Sequence, residues 1–285
     1  MISDYRCFYC FTKAFEKILE RENFNPELKV EFTKELAVLY AEQKESFSTP
    51  VFSRSLHNIL KKYTNNSDSY ASIKKEGNDK ALSLYPEMKD KILQAENPFD
   101  VAIRLAIAGN IMDSAISDTY DIKKTIDKTL NSCFAIDHSN YLKQDLLKAK
   151  KVLYIGDNAG EIVFDKLFIE TIMHPHLYFS VRGAPIINDA TMEDAEYVGM
   201  GKVADVISNG YDAPSTIIEH CSNEFCKIFD EADVIISKGQ GNLEGLLGNT
   251  NKNIYFLLMV KCDVIANALN VQKGDFVVLN NKMIQ

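Results

Sequence analysis

Apolar positions recur at helical spacing through the first half of the chain. Phe8, Phe11, Phe15, Ile18 and Leu19 fall on one stripe, and Leu28, Phe32, Leu36, Leu39 and Tyr40 on a second. Thr49-Pro50 reads as a cap followed by proline at the first helical position, opening Phe52, Leu56, Ile59, Leu60 and Tyr63. Residues 65–69 are a polar break, and Asn97-Pro98 repeats the device ahead of Val101, Leu105, Ala108 and Met112. No internal repeat or low-complexity tract interrupts the pattern. It predicts a helical domain over residues 1–148.

From Lys151 the period changes. The short apolar runs at 152–155, 177–181, 204–207, 234–236, 254–260 and 276–279 alternate with helical or turn-rich stretches. Buried strands spaced in this way predict an α/β domain over 149–285 with a mainly parallel, Rossmann-like sheet, whose first strand lies near 152–155.

Composition narrows the classes. A length of 285 residues favours two domains, and 46% apolar residues supply an ordinary soluble core. A net charge of −8 argues against nucleic-acid binding. No apolar run reaches the length of a membrane span and no signal-peptide pattern opens the chain, so the expectation is a cytoplasmic protein without a membrane partner. Six cysteines fit free thiols. Cys7 and Cys10 form one CxxC with no second to complete a zinc site; their spacing puts them on one helix face, with burial the first expectation and a place in a site the second.

Strand ends carry the unusual residues. After the run at 152–155 comes Gly156-Asp157-Asn158-Ala159-Gly160-Glu161, a glycine turn leading into a helical pattern. Ligands of open α/β folds collect at such places. Asp157 and Glu161 would repel a bare phosphate, a conflict that a divalent cation between carboxylate and phosphate removes; Asp and Asn oxygens are hard ligands suited to it. The plainer alternative is a surface loop in which Asp157 or Asn158 caps the helix.

Later strand ends add Arg182-Gly183 with Asn188-Asp189-Ala190-Thr191, then Ser237-Lys238-Gly239-Gln240-Gly241-Asn242, then Lys261-Cys262. In a parallel sheet these share one edge, so that Asp157, Asn158 and Asp189 would meet Arg182, Lys238 and the Gly239 and Gly241 backbone, a set suited to a metal-bound phosphoryl group. In the helical half, Gly109 sits mid-pattern at a cost of about 1 kcal/mol against alanine. Asn110 and Asp113 beyond it share a face, as a wall of the pocket or as a solvated polar edge.

Taken together, Cys7/Cys10, Ala108-Gly109-Asn110 with Asp113, and the strand-end motifs just quoted resemble the metal-dependent damage-control phosphatase family, long catalogued as a domain of unknown function, in its stand-alone prokaryotic-type branch. The resemblance spans nearly the whole chain. It implies a helical domain beside a three-layer α/β/α domain, with the site between them. It further implies one divalent ion (Mn, Mg, Co or Ni) on Asp157, Asn158 and Asp189, and Lys238 on the substrate phosphate. Small phosphorylated metabolites, sugar phosphates among them, are the implied substrates, hydrolysed by a metal-activated water. Asp189 or Glu161 would orient or deprotonate that water. Asn110, Asp113, Arg182, Gly239, Gly241 and Asn242 are the further substrate-binding candidates. The alternatives are an S-adenosylmethionine-dependent methyltransferase, which would want an acid where Arg182 stands, and a non-enzymatic metal or sugar-phosphate binding module. A dinucleotide-binding reading fails because 156–161 does not make GxGxxG.

Overall fold

The computed structural model describes residues 4–44, 47–109 and 122–283. Three helices open it: α1 (Tyr5–Arg21), α2 (Pro26–Ala41) and α3 (Thr49–Thr64). Their stripes close on a core of their own, in which Phe15, Phe32, Phe52 and Leu56 are buried together. Local chemistry sets the boundaries. Asp4 caps α1 by accepting from the Arg6 N–H at 2.9 Å, and Asn25 caps α2 by accepting from the Leu28 N–H at 2.8 Å with Pro26 in the first turn.

The next helices, α4 (Ala71–Gln94), α5 (Pro98–Ala108) and α6 (Ile122–Leu130), lead into the sheet. Strand β1 (Phe134–Asp137) and α7 (Ser139–Lys148) come before the run expected to start it. The sheet then continues through β2 (Val152–Ile155), α8 (Glu161–Ile172), β3 (Leu177–Val181), α9 (Met192–Tyr197) and β4 (Asp205–Ser208). It ends with α10 (Asn223–Glu231), β5 (Val234–Lys238), α11 (Gly239–Leu246), β6 (Ile254–Met259), α12 (Asp263–Leu269) and β7 (Phe276–Asn280). The order across the seven strands is β1-β7-β6-β5-β2-β3-β4, and β6–β7 is the antiparallel pair in an otherwise parallel sheet.

Side-chain alternation sorts the core into two faces. Val152 and Tyr154 of β2 join α4, α5, α8 and α9 on one side, while Leu153 and Ile155 join α10, α11 and α12 on the other. The result is the three-layer α/β/α arrangement. Helices α4 and α5 share their core with the sheet, so packing is continuous across residue 148, and the separate helical core belongs to α1–α3. The expectation of a first strand near 152–155 is corrected: β1 precedes it. An edge strand with alternating burial offers no continuous apolar run to read, which is why Phe134-Ala135-Ile136-Asp137 passes as loop.

From β2 the chain moves outward to β3 and β4, then returns to β5 on the opposite side of β2. The carboxyl ends of β2 and β5 therefore flank a topological switch point. Among the described residues no helix is long and apolar enough to cross a membrane.

Candidate functional site

The loop after β2 is zipped to the loop after β3 by an isolated antiparallel bridge between Asn158 and Asp189. Ala159 N–H donates to the Asn188 carbonyl and Ala190 N–H to the Asp157 carbonyl, both at 2.8 Å. Two segments some thirty residues apart in sequence thus present Asp157, Asn158 and Asp189 together. Arg182, at the end of β3 and only 2% exposed, lies across the two carboxylates. Its Nε donates to Asp189 Oδ2 at 2.6 Å and its Nη2 to Asp157 Oδ1 at 3.4 Å. Its Nη1 donates to Asn242 Oδ1 at 3.1 Å and Thr216 Oγ1 at 3.3 Å. Asn242 Nδ2 in turn donates to the Gly156 carbonyl at 3.1 Å and the Lys238 carbonyl at 2.8 Å, which ties the ends of β2, β3 and β5 into one unit.

Lys238 lies beneath this layer and is fully buried. Its ammonium donates to the Ala106 carbonyl at 2.7 Å, to Glu161 Oε1 at 2.5 Å and to Asp165 Oδ1 at 2.7 Å, which occupies all three donors. The structure therefore engages Lys238 with α5 and α8. Asn158 Nδ2 donates to Asp157 Oδ2 and Glu161 Oε2, both at 3.1 Å. Gly239, at φ +77°, starts α11 directly against Asp157: a Cβ there would lie 1.9 Å from Oδ2.

Four buried carboxylates (Asp157, Glu161, Asp165, Asp189) face two buried cations (Arg182, Lys238). The electrostatics register the imbalance. Burial, then Asp189 and Glu161, push the Asp157 carboxyl well above the usual carboxylate range, with Arg182 and Lys261 opposing. Burial raises Asp165 as well, against the pull of Lys238. Burial lowers the Lys238 ammonium, but Asp165 and Glu161 outweigh it and the net shift is upward. Among the described residues no three His, Cys, Asp or Glu side chains cluster as metal ligands. The expected set holds two carboxylates and one amide, all hard oxygen donors. Four carboxylates against two buried cations in an oxygen-rich place, with Asp157 resisting ionisation, suit a divalent cation that would favour the charged carboxylate, so the donor set and the electrostatics both fit one.

A cavity of about 400 Å³, a size suited to a small molecule, opens between α1, α3 and the first turns of α11, the helix whose Gly239 abuts Asp157. Cys7, Cys10, Phe11, Gln240, Gly241, Lys261 and Cys262 are on its walls. The first expectation for the CxxC is corrected: Cys7 is half-buried and Cys10 exposed, and both line this cavity. Neither thiol is activated, because burial raises both. Gly109 abuts Glu161, since a Cβ there would lie 3.1 Å from Glu161 Cγ. Asn110 and Asp113 lie outside the described residues.

Sequence reasoning missed Asp165 and Thr216. Asp165 follows Glu161 by one helical turn, and a second carboxylate at that spacing on an apolar helix was a readable signal. Thr216, in an irregular segment, had none.

The model of the damage-control phosphatase ARMT1-like domain matches residues 3–277. An uncharacterized protein of Methanocaldococcus jannaschii is 41% identical over 238 residues, covering 79% of this chain and 77% of its own. A damage-control phosphatase of Pyrococcus horikoshii is 33% identical over 283 residues, 98% of each chain. A damage-control phosphatase of Archaeoglobus fulgidus is 34% identical over 217 residues, 74% of this chain and 75% of its own. The crystal structure of a duf89-family protein from Pyrococcus horikoshii superposes with a TM-score of 0.90 at 31% identity, covering 99% of both chains.

Proposed function

The chain belongs to the damage-control phosphatase ARMT1-like domain family, and from that membership we propose that it is a cytoplasmic, metal-dependent phosphatase hydrolysing small phosphorylated metabolites such as sugar phosphates. The observation that carries the reading is the buried charge imbalance at the switch point, four carboxylates against two cations beside a ligand-sized cavity.

In this reading Asp157, Asn158 and Asp189 would hold one divalent ion, drawn from Mn, Mg, Co and Ni. When bound, such an ion draws charge from phosphoryl oxygens and lowers the pKa of a coordinated water. Arg182 fixes the two carboxylates in their relative orientation through Nε and Nη2. Helix α11 starts at Gly239 against Asp157, and in this reading its first-turn N–H groups, through Gly241, would stabilise equatorial phosphoryl oxygens. Glu161, held by Lys238 on one oxygen and Asn158 on the other, positions that amide. Lys238 serves by holding Glu161 and Asp165, and Lys261 on the cavity wall is the cation assigned to the substrate phosphate. The body of the metabolite occupies the cavity.

The test is calorimetric titration of each metal into the wild type and into Asp157→Asn and Asp189→Asn, alongside phosphate release from a phosphometabolite panel. Loss of metal affinity and of turnover in folded variants is the expected result. Unchanged affinity in both variants overturns the site.

A further inference from the structure

The run Lys74-Lys75-Glu76-Gly77-Asn78-Asp79-Lys80 reads in sequence as a solvated helix face, yet burial divides it. Lys75, Glu76 and Asp79 are exposed, whereas Lys74, Gly77, Asn78 and Ala81 form a buried stripe along α4 at helical spacing. That stripe is polar because it faces the backbone of the two loops that carry the oxygen ligands. Gly160, at φ +78°, is pressed against Gly77 so closely that a Cβ on it would lie 2.9 Å from the Gly77 carbonyl oxygen.

The Gly160 N–H donates to Asn78 Oδ1 at 2.6 Å. Asn78 Nδ2 donates to Asp194 Oδ1 at 3.0 Å. The other Asp194 oxygen accepts from the Thr191 N–H and hydroxyl, each at 2.9 Å, and from Lys74 Nζ at 3.1 Å. Lys74 also pairs with Asp68 at 2.9 Å. One end of this chain of bonds holds the Asp157–Gly160 turn, and the other holds the turn that follows Asp189. The direct bridge between Asn158 and Asp189 fixes the two loops from one side, and the α4 network fixes them from the other.

We propose that Asn78, together with Asp194 and Lys74, is a positioning device that keeps the two ligand-bearing loops in register, acting through the Gly160 N–H and Thr191. Truncating Asn78 strips the buried Gly160 N–H and Asp194 Oδ1 of their partner at once, so both loops gain freedom together. The consequence for metal affinity rests on the reading under Proposed function; the consequence for loop order does not.

Two readouts test it. The first is titration of manganese(II) chloride into Asn78→Ala, with Asn280→Ala as a control that removes an equally buried amide, paired to Asn253, from β7, two strands away from β5 and three from β2. Asn78→Ala is expected to lose about 10- to 100-fold in affinity, the range for residues that orient metal ligands, and the control to lose none. The second is hydrogen exchange without metal, in which residues 157–160 and 188–191 should both exchange faster in Asn78→Ala and not in the control. Unchanged exchange in both loops overturns the proposal, as does a loss of affinity no greater than the control's. If the wild type binds no metal, the metal reading falls by itself and exchange decides the proposal. If Asn78→Ala fails to fold, Asp194→Asn carries both measurements, since it keeps one acceptor and loses the Lys74 ion pair.

Discussion

Gly239 and Asp157 are in contact such that no side chain fits between them: a Cβ on Gly239 would lie 1.9 Å from Asp157 Oδ2. The positive φ of 77° adds a backbone penalty for any other residue. Gly239→Ala must therefore displace the carboxylate or the start of α11. The expected outcome is a loss of about 1–3 kcal/mol in stability from overpacking, with metal affinity falling further than this strain alone produces. Denaturant melts and calorimetry on the same preparation check it; an alanine variant with lowered stability and wild-type metal affinity would mean that the start of α11, and not the Asp157 carboxylate, had given way.

Lys238 separates two roles that sequence alone merges. A lysine reserved for substrate can be removed at little cost to the fold, whereas one that neutralises Glu161 and Asp165 in a dry interior cannot. Lys238→Ala leaves two buried carboxylates uncompensated and should destabilise the protein by about 3–5 kcal/mol. Urea denaturation without substrate measures this directly. Wild-type stability combined with lost turnover would return Lys238 to the phosphate.

His57 supplies a pH dependence remote from the site. Its ring is buried against Phe15, its Nδ1 lies 2.9 Å from the Ser53 carbonyl, and its Nε2 has no hydrogen-bond partner among the described residues. Burial, with Lys61 and Arg21 nearby, lowers its pKa from 6.5 to about 4. The unfolded chain therefore binds a proton on His57 that the folded chain refuses between those values. This contribution is intact above pH 6.5 and is lost as the pH falls toward 4, amounting to about 3 kcal/mol over the window. Denaturation at pH 8 and pH 5 should show the loss, and His57→Leu should flatten it.

How far the sequence carried depended on whether a residue's surroundings were local. The strand and turn at 152–161 were legible because an apolar run, a glycine and paired oxygen side chains lie in one short stretch. The meeting of Asp157 with Asp189 followed from parallel strand order. The partners of Lys238 did not follow: Ser237-Lys238-Gly239 looks the same whether the ammonium faces a cavity or the underside of α8. Lys74 and Asn78 were invisible for a related reason, since a buried polar stripe with its partners far away in sequence has the composition of a solvated face. Short β1 lacked the apolar run by which the other strands were found.

The cavity yields the last prediction. Its α1 wall carries Cys10, which is exposed, so a bulky residue there can project into the space without disturbing the core of α1–α3. Cys10→Trp should shrink the volume open to the body of a substrate and leave Asp157, Asn158 and Asp189 as they are. A phosphate ester with a small body should then turn over at nearly the wild-type rate, while a hexose phosphate should lose about tenfold in kcat/KM, chiefly through KM, as expected for lost binding that is uniform between ground and transition states. Steady-state kinetics on glycerol phosphate and hexose phosphates make the comparison. Equal losses on both would mean that the indole reached the ligand carboxylates. No loss on either would place the substrate body outside this cavity.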